Sequence, residues 1–149
     1  MSFVIRKMEA GDRATVLGMM RSFYRSPAVF TDGSEEIYAA DVDACVGDSP
    51  FLEGYVFDVG GETVGYAMLA NSFSTEFGCP AVWIEDIYLV AEHRGEGIGS
   101  RFLSWVEETH PGAILRLEVE EENSRALAVY RKCGFDVLPY MEMKKIVKK

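Results

Sequence analysis

Three glycines lie close together between a β-prone run and a helical pattern, in the segment Arg94-Gly95-Glu96-Gly97-Ile98-Gly99. Glycine tolerates positive φ and lets a ligand approach the backbone closely. The first amide groups of a helix have no partner within the helix, and partial positive charge accumulates there. The spacing differs from the Walker A loop and from the Rossmann Gly-x-Gly-x-x-Gly fingerprint. The segment therefore predicts an anion site suited to a pyrophosphate, with a simple tight turn as the alternative.

Two polar residues further along the chain share one face of a predicted helix. Asn123 stands where that helix begins, and asparagine is a favourable N-cap. Tyr130 follows two turns later on the same face, so both side chains can look into one cleft. A tyrosine titrates at about pH 10 and is protonated at neutral pH, as a general acid must be. The alternative for Tyr130 is packing against Phe135.

A pair of acids interrupts the otherwise apolar run Ala81–Val90. Glu85 and Asp86 are neighbours on a predicted strand, where successive side chains point to opposite faces. We therefore expect only one of the two carboxylates to face a cleft. The alternative is that one of them forms an ion pair with a surface lysine or arginine.

The two motifs together resemble those of the GNAT acetyltransferases. Motif A of that family is similar to Arg94-x-x-Gly97-x-Gly99, and motif B is similar to Asn123-x-x-Ala126-x-x-x-Tyr130-x-Lys132-x-Gly134-Phe135. The resemblance implies an α/β fold in which a mixed, mostly antiparallel sheet is flanked by about four helices. It also implies a V-shaped splay between the strands at 81–90 and 114–120.

The resemblance further implies an acetyl-CoA-dependent N-acetyltransferase that passes the acetyl group directly to a primary amine. Backbone amides of residues 95–100 would hold the CoA pyrophosphate, and the Leu89 amide would bond the pantetheine arm or the acetyl oxygen. Tyr130 would protonate the departing thiolate. The implied acetyl-CoA contacts are Ile87, Tyr88, Leu89, Arg94, Gly95, Glu96, Gly97, Ile98, Gly99, Ser100, Asn123 and Tyr130.

An acceptor alkylamine has a pKa of about 10.4, so the enzyme must remove a proton before the nitrogen attacks. Glu85 is the candidate base, directly or through water, with Asp86 next. The stretch Ile84-Glu85-Asp86 is similar to the corresponding strand of spermidine/spermine N-acetyltransferases, whose glutamate meets the substrate amine. We expect the remaining substrate walls from the first two helices and their loop: Phe23, Tyr24, Phe30, Asp32, Glu35 and Glu36. A solvated acidic helix face is the alternative for these acids.

Hydrophobic periodicity and turn signals predict the elements that position these residues. We predict helices at 14–24, 34–46, 100–109 and 124–132. We predict strands at 3–8, 51–59, 62–70, 81–90, 114–119, 135–138 and 141–147. Gly60-Gly61 predicts a hairpin between the second and third strands. We find no repeat or linker and expect one domain over residues 1–149.

The balance of basic and acidic residues indicates which classes of partner the chain can bind. The chain has 15 Lys and Arg against 24 Asp and Glu, a net charge of -9. Nucleic-acid binding needs a basic face, so that class is disfavoured. Residues 1–83 hold 5 basic against 12 acidic residues, a net charge of -7. This half suits a cationic substrate, although an acidic surface also serves solubility.

The spacing of cysteines and histidines indicates whether a metal or disulfide is expected, and the length of apolar runs indicates whether a membrane span is. The three cysteines and two histidines form no metal-ligand spacing, so we expect neither a metal nor a disulfide. No apolar run is long enough for a membrane span, and we read no signal peptide at the N-terminus. We expect a cytoplasmic protein without a membrane partner.

Three matters stay open on sequence alone. The acceptor is a small, cationic amine such as a polyamine, amino acid or aminoglycoside, or else a protein or peptide amine. A non-catalytic acyl-CoA-binding regulatory module is the alternative outside the enzyme class. A homodimer is possible, because two-fold dimers are the commonest assemblies.

Overall fold

The computed structural model describes residues 2–29 and 33–149, and within these ranges it has five strands and four α-helices. The strands are β1 (Phe3–Lys7), β2 (Leu52–Val59), β3 (Glu62–Ser74), β4 (Cys79–Leu89) and β5 (Ile114–Leu117). The helices are α1 (Arg13–Tyr24), α2 (Glu35–Val46), α3 (Ile98–Thr109) and α4 (Ser124–Lys132). The predicted mixed α/β class is confirmed.

The strands form one sheet in the order β1-β2-β3-β4-β5. The first three pairings are antiparallel, and β4 pairs with β5 in parallel. Gly60 and Gly61 make the predicted hairpin, with φ of 59° and 82° that side chains other than glycine rarely adopt. The expectation of a mostly antiparallel sheet is confirmed.

The strand β4 positions the site because it is irregular in two places. Its register against β3 shifts, so that Met68 pairs with Asp86 and Leu69 pairs with Ile84, which leaves Glu85 as a bulge. Pairing with β5 stops where Ile84 meets Leu117, whereas β4 continues to Leu89. The two strands therefore part beyond Ile84, which is the predicted splay.

Helices cover both faces of the sheet, and each face has its own apolar core. On one face α3 buries Phe102, Leu103 and Val106 against Phe57 and other strand residues, with Tyr130 and Phe135 packed at the edge. On the other face α1 and α2 pack on residues that include Tyr66 and Met68. The site residues of β4 are thus supported by packed layers on both sides.

The structure differs from the sequence expectation at the end of the chain. Residues 135–138 and 141–147 are not strands, so these two predictions are wrong, although the apolar alternation that suggested them is present. Met141 is 91% exposed and Met143 is 94% exposed. Alternation records a propensity for strand, but a strand also requires hydrogen bonds to a neighbouring strand, and residues 135–149 pair with no strand of the sheet.

Candidate active site

The turn between β4 and α3 exposes the amides that open the helix. A short 3-10 turn, Ala91–His93, leads into Gly95 and Gly97, whose φ angles are 80° and 81°. Gly97 is the N-cap, so α3 begins at Ile98, two residues earlier than predicted. Its first-turn amides have no carbonyl partner earlier in the helix. This geometry suits an anion, as expected of residues 95–100.

Side chains also hold this turn in place. His93 Nδ1 lies 2.7 Å from Glu96 Oε1, which ties the two sides of the turn together. Arg94 Nε donates a 2.9 Å hydrogen bond to the carbonyl of Leu89, and its guanidinium lies 5.4 Å from the centre of the Tyr88 ring. Arg94 therefore clamps the end of β4 to the turn.

The hydrogen bond from Arg94 also indicates which way the Leu89 backbone faces. The next amide, Val90 N, donates to Val64 O of β3 at 2.9 Å. Backbone groups alternate sides along a strand, so the groups of Leu89 face away from β3, toward the splay. The Leu89 carbonyl accepts the hydrogen bond from Arg94, and the Leu89 N–H points toward the splay. Its bond to the pantetheine arm or the acetyl oxygen stays a prediction.

A cavity of about 220 Å³ lies in the splay between β4, α3 and α4. Its lining residues are Ile87, Leu89, Arg94, Gly99, Leu103, Ala126, Val129 and Tyr130. Five of them belong to the acetyl-CoA contact set predicted from sequence, and they come from three separate segments. The structure thus brings the two motifs together around one mostly apolar cleft.

Tyr130 both lines this cleft and packs at its edge. Its ring lies 6.0 Å from the ring of Phe135 in an edge-on arrangement, so the packing alternative is also satisfied. Burial raises the pKa of Tyr130 above its ordinary value, which keeps the phenol protonated at neutral pH. The residue has the location and protonation state that a general acid requires, and the role remains a prediction.

Asn123 caps α4 as expected. Its Oδ1 accepts a 3.2 Å hydrogen bond from the amide of Ala126. The cap uses only the oxygen, so the Nδ2 group retains its capacity to donate. Helix capping and a contact to pantetheine or water are therefore compatible.

On the opposite face of the sheet, Asp86 is a buried carboxylate held by two tyrosines. Tyr24 donates to Oδ1 at 3.0 Å and Tyr66 donates to Oδ2 at 2.7 Å. Burial raises the pKa of Asp86, and the two hydrogen bonds oppose that rise. Tyr24 was predicted to line the substrate site. Tyr66 was not predicted, because a tyrosine within a strand pattern is typical of a core residue.

The expectation that Glu85 and Asp86 face opposite sides is wrong, and the bulge is the reason. Ile84 and Ile87 both belong to the core under α3, so the two acids between them lie on the other side. Glu85 is exposed, and partial desolvation followed by the charge of Asp86 raises its pKa. A pair of adjacent carboxylates therefore shares one face.

A third acid, Asp41 of α2, completes this group and was also missed. Burial, followed by the charges of Asp86 and Glu85, raises the pKa of Asp41 to about 6. The sequence signal was its position on the inward side of α2, three residues after the buried Tyr38. We call Asp41, Glu85 and Asp86 the carboxylate group.

The residues predicted to form the substrate walls lie in different surroundings, and only some of them line a cavity. Tyr24 belongs to the carboxylate group's surroundings and, with Arg25, Ser34 and Tyr38, lines a second cavity of about 310 Å³. Glu35 pairs with Arg21 at 2.6 Å on the surface, which fits the solvated-face alternative. Phe30 and Asp32 lie outside the described residues. Phe23 packs edge-on against Tyr24, 5.1 Å between ring centres.

Two further features of the described residues concern metal ions and membranes. Within residues 2–29 and 33–149, no group of three or more His, Cys, Asp and Glu side chains could hold a metal ion. None of the helices described there is long and apolar enough to cross a membrane.

A helix start that suits an anion lies beside a splayed strand and an apolar cleft, and this arrangement defines the class of acyl-CoA-dependent transferases. The sequence matches the Acetyltransferase (GNAT) family over residues 17–135, and the chain belongs to that family. The expectation of an acetyl-CoA-dependent N-acetyltransferase is thereby confirmed.

Individual relatives agree with this assignment. The chain is 33% identical over 148 residues to the thialysine N-epsilon-acetyltransferase of Bos taurus, covering 90% of this chain and 85% of that protein. A crystal structure of a possible acetyltransferase from Clostridium difficile 630 superposes with a TM-score of 0.83 at 20% identity, covering 99% of each chain. The structure of AAC(6')-Iy with the bisubstrate analogue CoA-S-monomethyl-acetylneamine gives 0.80 at 17% identity, covering 99% and 100%. The two structural likenesses establish the shared fold.

Proposed function

We propose that this N-acetyltransferase modifies the primary amine of a small, cationic molecule by direct transfer from acetyl-CoA. The observation that carries the proposal is the bulge at Glu85, which puts two adjacent carboxylates on one face, opposite Asp41, where β4 leaves β5. Carboxylates attract and orient an ammonium group. The name of the bovine relative, which specifies the ε-nitrogen of thialysine, supports a small amine acceptor.

The turn before α3 and the cleft beside it receive acetyl-CoA in this proposal. The amides of residues 95–100 bind the pyrophosphate, and the cleft lined by Ile87, Leu89 and Tyr130 receives the pantetheine arm. The Leu89 N–H, which points toward the splay, stabilises the negative charge that develops on the acetyl oxygen. Such a donor contributes about 3–4 kcal/mol to the transition state.

Glu85 removes the proton from the acceptor ammonium, directly or through a water molecule. At neutral pH only about one alkylamine in 2,500 is unprotonated, which corresponds to about 4.6 kcal/mol. A carboxylate with an ordinary pKa is a weak base for this step, and the raised pKa of Glu85 makes it a stronger one. Asp86, buried between two tyrosines, orients the charged substrate.

Attack on the thioester and departure of the thiolate then complete the acetyl transfer. The neutral nitrogen attacks the thioester carbonyl carbon, and the carbon–sulfur bond breaks. The sulfur takes a proton from the Tyr130 hydroxyl, and the nitrogen loses its second proton to solvent as the neutral amide forms. The phenolate is reprotonated from solvent. No covalent acyl-enzyme is needed, and none of the three free cysteines belongs to the carboxylate group or lines the cleft.

We also propose that the chain works as a cytoplasmic homodimer. Its three cysteines are free, which fits a reducing compartment. Two-fold dimers are the commonest assembly of soluble proteins.

A thiol-release assay tests the acceptor class. Acetyl-CoA is incubated with 1,4-diaminobutane, with butylamine as the matched monoamine, with thialysine, and with a peptide bearing a free N-terminus. Thiol release with kcat/KM higher for the diamine or thialysine than for butylamine and the peptide supports the proposal. Release with the peptide alone favours a protein acceptor, and CoA binding by calorimetry without release on any amine favours a regulatory module; either result overturns it.

A further inference from the structure

An acid lies inside the turn that precedes α3. Glu96 stands between two glycines and is the one acidic residue of the sequence from Arg94 to Val106. A carboxylate and a diphosphate carry charges of the same sign, so they repel each other when both lie near the same amides. Glu96 therefore stands where a negative charge opposes the binding of acetyl-CoA.

The start of α3 can also attract the Glu96 carboxylate itself. The N-cap of this helix is Gly97, and glycine has no side chain with which to cap it. The free amides of a helix start attract a nearby anion, including a carboxylate of the same chain. Glu96 immediately precedes the N-cap, and its glycine neighbours, Gly95 and Gly97, have φ of 80° and 81°. Its carboxylate is thus an intramolecular competitor for the site of the diphosphate.

The imidazole of His93 holds this carboxylate. His93 Nδ1 lies 2.7 Å from Glu96 Oε1, and an ionised carboxylate can only accept, so the imidazole is the donor. The His93 side chain is 21% exposed and that of Glu96 is 46% exposed. The amide of His93 donates to the carbonyl of Val90 at 3.0 Å, just after β4. The hydrogen bond therefore ties an exposed acid to a fixed and less exposed part of the turn.

The tied pair lies beside the apolar cleft and not in it. Arg94 and Gly99 are the residues of this turn and helix start that line the cleft. His93 and Glu96, which both belong to the described part of the chain, do not line it. While the hydrogen bond is present, the carboxylate stays with His93, and the first amides of α3 remain free for a ligand.

We propose that His93 is a positioning residue for acetyl-CoA, which holds the Glu96 carboxylate and so keeps its charge off the amides that open α3. The diphosphate then meets amides that Glu96 does not occupy. The turn contains an anion site, a competing anion and the side chain that restrains this competitor. The inference rests on the proposed function, because it requires that the diphosphate binds at residues 95–100.

A double-mutant cycle, measured by calorimetry with CoA, tests this role. His93→Phe keeps a ring but removes the donor, and it is expected to weaken CoA binding about tenfold. Glu96→Gln keeps an acceptor for His93 but removes the charge, and it should bind CoA at least as tightly as the wild type. The double variant His93→Phe/Glu96→Gln is expected to return to within about twofold of the wild-type affinity.

A matched double variant separates the restraint on Glu96 from a general effect of charge. His93→Phe/Glu92→Gln removes an exposed acid of the preceding 3-10 turn instead, and it should bind CoA as weakly as His93→Phe. Circular dichroism checks that all variants fold. Recovery of CoA affinity by Glu92→Gln to the same extent as by Glu96→Gln would overturn the inference.

Pantetheine, which lacks the nucleotide and its diphosphate, provides a second readout. Its inhibition constant against acetyl-CoA should be the same for His93→Phe as for the wild type, because the apolar cleft is unchanged. Equal losses of pantetheine and CoA affinity would mean that His93 only supports the shape of the site, which would overturn the inference.

Failure of this inference is distinguishable from failure of the proposed function. Wild-type CoA affinity in His93→Phe, or a double variant His93→Phe/Glu96→Gln that binds no tighter than His93→Phe, would overturn the role of His93 and leave the diphosphate site standing. A wild-type chain that binds no CoA would remove the diphosphate site, and the proposed function with it.

Discussion

The hydroxyl of Tyr66 donates a 2.7 Å hydrogen bond to Asp86, and both residues are almost completely buried. The carboxylate has no charged partner among its hydrogen bonds, so tyrosine hydroxyls alone support its charge. A buried carboxylate that depends on neutral donors is sensitive to the loss of either one.

Tyr66→Phe is expected to destabilise the fold by about 2 kcal/mol, because a buried charge-assisted hydrogen bond is lost. The hydrogen bond favours the charged form of Asp86, so its removal raises the folded pKa of Asp86 further. The loss of stability should therefore grow as pH rises. Urea unfolding at pH 5 and pH 8 measures it. Tyr55→Phe, which removes a hydroxyl bonded to the more exposed Glu53, is the control, and an equal loss in both variants would contradict the argument.

Asp41→Asn is expected to flatten the dependence of stability on pH. The folded pKa of Asp41 is about 6, above its ordinary value of 3.8. A raised folded pKa contributes stability that is complete below about pH 4 and is lost as pH rises through about 6. The wild type should thus lose stability over this window relative to Asp41→Asn, as urea unfolding from pH 4 to pH 8 would show. Asp43→Asn, at an exposed position of the same helix, is the matched control, and parallel curves for Asp41→Asn and wild type would refute the expectation.

Local patterns were enough to predict the helices, the glycine hairpin and the cleft. The positions of Asn123 and Tyr130 follow from helical spacing, and the turn before α3 follows from its glycines, so each needs only a few neighbouring residues. Glu85 was predicted as a site residue, but the face of the sheet toward which its side chain points was not predicted. A bulge depends on how β3 and β4 pair, and alternation along one strand carries no information on that pairing.

Other features depend on contacts between distant parts of the chain. The charge of Asp86 acts on Asp41 only because α2 packs on the same face of the sheet, and Tyr66 reaches Asp86 across the β3–β4 pairing. The segment 141–147 has the alternation of a strand but pairs with no strand of the sheet. Sequence periodicity predicts which face of an element is apolar, but it does not predict which residues pack against that face.

Tyr130→Phe is expected to lower kcat on the order of 10²-fold or more, because the thiolate then departs without a proton donor. Acetyl-CoA affinity should change little, since the ring still lines the cleft. Thiol release measures kcat, and calorimetry measures the affinity for CoA. Tyr55→Phe serves as the control for loss of a hydroxyl elsewhere. An unchanged kcat, or a loss confined to CoA affinity, would remove Tyr130 from its role as acid.

Glu85→Gln is expected to lower kcat/KM on the order of 10²-fold at neutral pH. The deficit should shrink as pH rises toward the pKa of the acceptor amine, because the substrate then loses its proton without help. The pH profile of kcat/KM from pH 6 to pH 10 tests this, with Glu62→Gln at the exposed first residue of β3 as the control. A deficit of constant size across the profile would indicate that Glu85 binds the substrate without acting as its base.

Gly97→Ala is expected to weaken CoA binding about tenfold. Gly97 is the N-cap of α3 with φ of 81°, where a side chain costs about 1–2 kcal/mol, so the substitution shifts the amides that open the helix. Gly18→Ala, in the middle of α1 with open space around the added methyl group, is the control and should leave CoA binding unchanged while raising helix stability. Calorimetry with CoA gives both affinities. If Gly97→Ala binds CoA as tightly as Gly18→Ala, the amides of this turn do not form the pyrophosphate site.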